Sequence, residues 1–306
     1  MQKYKPFITL VWTFLVLMVA VSMGFSFDVG VELDIGNLSF SDARESTEED
    51  LVPALKWGFA VYGSENISDT LSISTGFYSD PILNYVSYTL LTYNQEFLSL
   101  GVGPFFGFFN TATSILKPGI STSIRVDLPG ALFVSFRSDS TIGGRMVQEG
   151  DYLQERSDVA AGFYVKNAIC SLNLLTKSYT LRKTTQEIVD SFTEYSFKAD
   201  IYSKYAPYTI LLSFGYEKLS KSFINVTTRD TVIHSLSSLV LGTQLNIHFA
   251  DFIIFDVNLE SSIYSFGFAG DQLLTIASSG PLGFLFNVST GIRIDLDPLL
   301  KGPNNQ

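Results

Sequence analysis

Cysteine is nearly missing from this chain: Cys170 is the only one among 306 residues. That excludes a disulfide framework and a cysteine metal site, and with no cysteine near the N-terminal leader it argues against a lipid-modified N-terminus. Histidine is scarce too, limited to His234 and His248. Two separated histidines give no metal-ligand spacing and little support for the acid–base or nucleophilic chemistry of an embedded hydrolase, so neither a cofactor nor an enzymatic activity is expected. His234, beside Ser235, reads as a solvated loop residue, and His248 as an inward-facing residue near a short turn. Basic charge is in deficit: 20 Lys and Arg stand against 30 Asp and Glu, for a net charge of −10. A nucleic-acid partner is thereby disfavoured, since phosphate binding needs a basic surface. Beyond residue 26 there is no apolar run long enough for a membrane-spanning helix and no sustained 3.6-residue period.

A leader is present. Residues 1–6 carry Lys3 and Lys5, residues 7–21 are continuously apolar, and the small residues Ser22, Gly24 and Ser26 follow. This is the pattern of a secretory signal peptide over 1–26, with cleavage expected between residues 20 and 26. Its removal takes the formal charge from −10 to −12.

Directly after it, FDVGVELDIG (27–36) alternates Phe27, Val29, Val31, Leu33 and Ile35 with Asp28, Gly30, Glu32, Asp34 and Gly36. Period-2 alternation is the signature of a strand with one apolar and one polar face. The pattern recurs in ALKWGFAVYG (54–63), GISTSIRVDL (119–128), LVLGTQLNIHF (239–249) and FNVSTGIRIDLD (286–297). Every such run taken together gives about fourteen strands, in a range of twelve to fourteen, near 27–36, 54–63, 70–79, 85–93, 97–109, 119–128, 131–138, 157–167, 169–181, 192–203, 206–217, 236–249, 252–266 and 284–297. In the 169–181 run the apolar face looks as if it switches near Leu174 and Leu175.

The links alternate in length. SENISD, NQE, PG, NA, YAP and AD are short, whereas NLSFSDARESTEEDLVP, SDSTIGGRMVQEGDYLQER and LSKSFINVTTRDTVIHS are long. An antiparallel up-and-down sheet with tight turns at one end and loops at the other produces this alternation. A soluble sandwich also alternates, but three features favour lipid outside the apolar face. Strands of about ten residues match a tilted bilayer span. The exported chain has no disulfide. Aromatic residues flank the short turns: Tyr205 and Tyr208, Phe249 and Phe252, Tyr93 and Phe97, as in interfacial girdles. In lipid the sheet must close, because an open edge leaves backbone groups unpaired in hydrocarbon. The fold class expected is therefore all-β, a transmembrane antiparallel up-and-down β-barrel over 27–297 with a short tail at 298–306.

The leader, the dyad repeat and the long-short links resemble the bacterial outer-membrane β-barrel class, and the strand number is similar to small monomeric porins and to the barrel part of fatty-acid transporters. One departure is that many such barrels end in an aromatic residue that the assembly machinery reads, whereas this chain continues past Leu296 into DPLLKGPNNQ. The resemblance implies a monomer in the outer membrane, partnered by its lipid, by barrel-assembly machinery and by small solutes. It implies short turns in the periplasm and long loops at the cell surface.

On this reading the first strand closes against the last, with Asn287, Ser289, Gly291, Arg293 and Asp295 inside and Arg293 pairing with an acid of the first strand. The lumen candidates are Asp28, Glu32, Asp34, Lys56, Arg125, Asp127, Arg137, Lys166, Lys198, Asp200, Asp256, Glu260, Arg293 and Asp295. Charges of both signs around a watery lumen suit a channel for small hydrophilic solutes or ions, with a mild cation preference from the acidic excess. Tyr62, Tyr78, Phe133, Tyr164 and Leu211 also point inward and motivate an alternative, a transporter of hydrophobic solutes. The acidic loop residues Glu45, Glu48, Glu49 and Asp50, with the long loops, motivate a third reading as a surface-exposed structural or adhesin barrel.

Overall fold

A computed structural model describes residues 28–37, 55–108, 116–142, 150–203, 206–250, 252–269, 272–274 and 285–296. The leader, the acidic cluster Glu45, Glu48, Glu49 and Asp50, Tyr205 and the C-terminal tail lie outside the described residues. The elements are β1 (Asp28–Gly36), β2 (Lys56–Ser68), β3 (Leu71–Asp80), β4 (Asn84–Asn94), β5 (Leu98–Phe108), β6 (Lys117–Leu128), β7 (Leu132–Thr141), β8 (Tyr152–Val165), β9 (Ala168–Arg182), β10 (Gln186–Tyr202), β11 (Tyr208–Asn225), β12 (Thr231–Ala250), β13 (Ile253–Ala269), β14 (Gln272–Leu274) and β15 (Phe286–Asp295).

From β1 to β13 each strand pairs antiparallel with the next in sequence, and β15 pairs antiparallel with both β13 and β1 to complete the ring. Residues 272–274 only extend the end of β13, so β1–β13 and β15 form a closed barrel of fourteen strands. Closure runs through β15, which lies between β1 and β13. Its register sets Ser289 against Asp34, Gly291 against Glu32 and Arg293 against Gly30, which keeps the polar set of both strands on the inner face.

The outward face is apolar all the way round. Val134 and Phe136 on β7, Leu239 and Leu241 on β12, and Val257 and Leu259 on β13 are all exposed. In water such a surface would be a large uncovered patch, so the belt is read as lipid-facing. Tyr93, Phe97, Tyr208 and Phe249 are exposed near the strand ends at the short-turn side, as interfacial rings should be.

Several turns follow from local chemistry. Between β6 and β7, Pro129 precedes Gly130 at φ +72°, and Ala131 N–H donates to the Leu128 carbonyl at 2.9 Å, the pattern of a type II turn. Within β5, Pro104 has no N–H to give, and the β4–β5 ladder skips Thr89 and Leu90 opposite Gly103 and Pro104.

The structure departs from the sequence reading at the long-link end. The stretches assigned to the links after β9 and β11 are mostly strand: β10 starts at Gln186, β11 runs to Asn225 and β12 starts at Thr231. The remaining turn at 226–230 is tight because Asn225 Oδ1 accepts from the N–H groups of Thr227 and Thr228 at 2.9 and 3.0 Å, and Arg229 takes φ +66°. Alternation there is hard to recognise because the inward residues are themselves apolar, including Ile188, Leu219, Phe223 and Leu236. For the same reason β9 contains no switch of face. Leu174 points out, while Leu175 points in and packs against inner apolar residues. His234 is corrected too: it is a buried strand residue whose ring meets Phe223 edge-on at 5.8 Å, not a solvated loop residue.

Candidate functional site: a lumen crossed by a short link

The link between β3 and β4, at the end of the barrel that carries the long links, does not rise into solvent. Asp80 Oδ1 accepts from the N–H groups of Ile82 and Leu83 at 2.7 and 3.0 Å, which curls residues 80–83 into a tight turn. Asn84 returns the chain to β4 at φ +61°, a left-handed conformation that Asn tolerates better than most residues. The curl points its apolar side chains inward. Leu83 is fully buried with Val86 and Phe105. Ile82 joins a cluster with Phe192 of β10, Leu219 of β11, Leu236 of β12 and Leu285.

The ring order places β4 half-way round the barrel from β11, so this cluster bridges the lumen across its diameter. Polar ties reinforce it. Lys177 Nζ of β9 pairs with Asp80 Oδ2, and Gln154 Nε2 of β8 donates to the Leu83 carbonyl. Lys56 Nζ donates to the Pro81 carbonyl at 3.1 Å.

A second construction lines the wall formed by β6–β8. The tripeptides Arg125-Val126-Asp127, Arg137-Ser138-Asp139 and Arg156-Ser157-Asp158 each place a cation and an anion two residues apart, hence on one face. The pairs close at 2.7, 3.1 and 3.4 Å respectively. Register also puts Arg137 opposite Asp158 and Asp139 opposite Arg156, giving an alternating quartet of charges. The Arg137 guanidinium lies over the Tyr88 ring at 4.1 Å, and Ser121 Oγ donates to Asp139. Nearby, Tyr164 Oη donates to Asp127 at 2.8 Å, and Arg125 covers the Phe133 ring at 4.4 Å.

The opposite wall is acidic and far less compensated. Glu32 and Asp34 of β1, Glu260 of β13 and Glu217 of β11 line a cavity of about 460 Å³ together with Glu194 of β10. A second cavity of about 310 Å³ adjoins it, lined by Glu32, Tyr62, Asp256 and Arg293 among others. Lys198 Nζ stands 3.3 Å from Glu194, and Ser196 Oγ donates to the same carboxylate at 2.6 Å. Among the described residues no ion pair reaches Glu32, Asp34, Glu217 or Glu260.

Register places the expected lumen residues as follows. Glu32, Asp34, Arg125, Asp127, Arg137, Lys198, Asp200, Asp256, Glu260 and Arg293 stand on the inner face. Asp28 and Asp295 face each other where β1 and β15 meet the barrel end, and Lys56 begins β2 beside the inward link. Lys166 is different: it sits exposed in the turn at 166–167 and is not on a strand wall, because β8 ends at Val165. Among the described residues Arg293 makes no ion pair with an acid of β1. It lies 5.8 Å over the Tyr62 ring instead, since Tyr62 stands opposite Gly30, where no side chain intervenes. Tyr62, Tyr78, Phe133, Tyr164 and Leu211 also share the inner face. Sequence reasoning missed Asp80, Asp139, Arg156, Asp158, Lys177, Glu194 and Glu217. The repeated Arg-x-Asp tripeptide was a legible signal for three of these; the others are joined only by closure.

A closed antiparallel barrel with an apolar exterior and a charged interior defines this chain as a β-barrel of the outer-membrane class. No protein-family model and no curated protein matches it. Among solved structures it is similar to a bacterial polysaccharide outer-membrane secretin, with TM-score 0.46 and 8% identity over 88% of this chain and 98% of that one. It is also similar to a porin, with TM-score 0.39 and 7% identity over 88% of this chain and 98% of that one. A third is the CymD monoaromatic hydrocarbon channel, with TM-score 0.37 and 9% identity over 89% of this chain and 88% of that one. At these values nothing is carried from those proteins to individual residues here.

Proposed function

We propose that the chain is a bacterial outer-membrane channel for passive diffusion of small hydrophilic solutes or ions, with a mild cation preference and no catalytic activity. The observation that carries this reading is the asymmetry of the lumen. One wall is neutralised by its own Arg-x-Asp pairs, while on the facing wall no ion pair among the described residues reaches Glu32, Asp34, Glu217 or Glu260. Fixed anions beside a watery path raise the local concentration of cations and lower that of anions.

The inward link narrows the path and makes this a restricted pore. Short turns face the periplasm and the long links face outward, in keeping with a leader that delivers β1 from the periplasmic side. The barrel works as a monomer in outer-membrane lipid and reaches it through barrel-assembly machinery.

The test is conductance of the refolded mature chain in a planar bilayer, with reversal potential taken in a salt gradient. Discrete steps with a cation-leaning reversal support the channel. An inserted, folded barrel with no steps would overturn it in favour of the hydrophobic-solute transporter or the structural or adhesin barrel.

A further inference from the structure

Register sets Glu194 of β10 directly opposite Glu217 of β11. Like charges facing each other across a ladder destabilise a sheet, and among the described residues only Glu194 of this pair has a direct ion pair and hydrogen bond, Lys177 and Lys198 acting on Glu217 at longer range. Lys198 and Ser196 attend to Glu194. Glu217 is 4% exposed, and its Oε2 has no hydrogen-bond partner. Glu260 is an electrostatic neighbour of both glutamates.

A buried, unpartnered carboxylate is costly unless something outside the chain completes it. All three glutamates border the cavity of about 460 Å³ beneath the inward link. Its other side carries the apolar Ile82, Leu175 and Phe192, with Arg156 and the Asp80-paired Lys177 also on the lining.

Building on the channel reading, we propose that this cavity binds an organic cation, a protonated amine with a short apolar body, whose ammonium sits at Glu217 and Glu260. The ammonium would supply the missing donors to Glu217 and relieve its repulsion with Glu194. The apolar body would lie against Phe192 and Ile82, as the Lys177 ammonium already lies 5.6 Å over the Phe192 ring. A bare metal ion fits less well, because among the described residues no three acid, histidine or cysteine side chains converge closely enough to coordinate one.

The experiment is isothermal titration of 1-aminopentane into the refolded full-length mature barrel in detergent, alongside 1-pentanol and magnesium. In parallel, the amine is titrated against single-channel current. Saturable binding of the amine, not of the alcohol, weakened about 10-fold or more by Glu217→Gln and by Glu260→Gln, is the expected result. Glu96→Gln, in an exposed turn, should bind as the parent does. No amine binding, tighter binding of magnesium than of the amine, or unchanged binding in both glutamine variants would overturn the proposal. Binding without channel steps would uphold this site and overturn the channel reading, while steps without binding or block would do the reverse.

Discussion

Lys177 on β9 and Asp80 at the end of β3 form an ion pair across the interior of the barrel. The same Asp80 carboxylate curls the link that follows it, so one residue both shapes the inward turn and anchors it to the far wall. The wall of the barrel and the object inside it are thereby coupled.

Removing that anchor should loosen the link. Lys177→Met leaves Asp80, only 9% exposed, without its cation, a loss of about 3 kcal/mol for a buried pair broken on one side. Single-channel recording should show larger or more frequent open steps than the parent. Unchanged current would mean that the link does not limit conduction.

Gly107 gives a second handle on the same feature. A Cβ there would come within 1.6 Å of Gln154 Oε1, and Gln154 holds the Leu83 carbonyl. Gly107→Ala should therefore displace Gln154 and raise protease sensitivity at residues 81–83. Gln154→Leu should do the same without adding volume at residue 107.

The Arg-x-Asp lattice should behave as a unit. Arg137→Ala removes the ion-pair partner of the fully buried Asp139 and should lower folding stability in detergent by about 3 kcal/mol. Arg137→Leu combined with Asp139→Leu should recover much of that loss, because the pair is then removed together and Arg156 keeps Asp158 as its partner. Urea titrations of the single and double variants give the comparison directly.

Neutralising the acidic wall should change selectivity and spare the fold. Glu32→Gln, Asp34→Asn and Asp256→Asn together remove three inward negative charges from β1 and β13. The reversal potential in a salt gradient should move toward that of a non-selective pore. A reversal potential that stays fixed would place the ion path away from this wall.

The outer belt makes an independent prediction about environment. Val134 is 48% exposed on the outward face of β7. Val134→Arg should destabilise the vesicle-inserted barrel by about 2–4 kcal/mol if it lies near the bilayer midplane. The same charge at exposed Lys166, kept as Lys166→Arg, should be neutral.

The sequence by itself determined the class of fold and which strands close the ring. Period-2 alternation from Asp28 to Asp295 fixes which side chains share a face, and a barrel in lipid has no other way to satisfy its edge strands. Alternation alone puts Ser289 and Arg293 on the same inner face as Glu32 and Asp34, where the register of β1 with β15 keeps them. It did not reveal that the long-link ends of β10–β12 are strand, because their inner face is also apolar there and the alternation fades. Nor did it show that Asp80-Pro81-Ile82-Leu83 turns inward, since four residues between two strands read as an ordinary link. Only closure of the ring brings β4 across from β11 and β3 within reach of Lys177, contacts separated by about a hundred residues that no local pattern encodes. Local periodicity therefore decided what each residue faces, and the tertiary structure decided what it meets there.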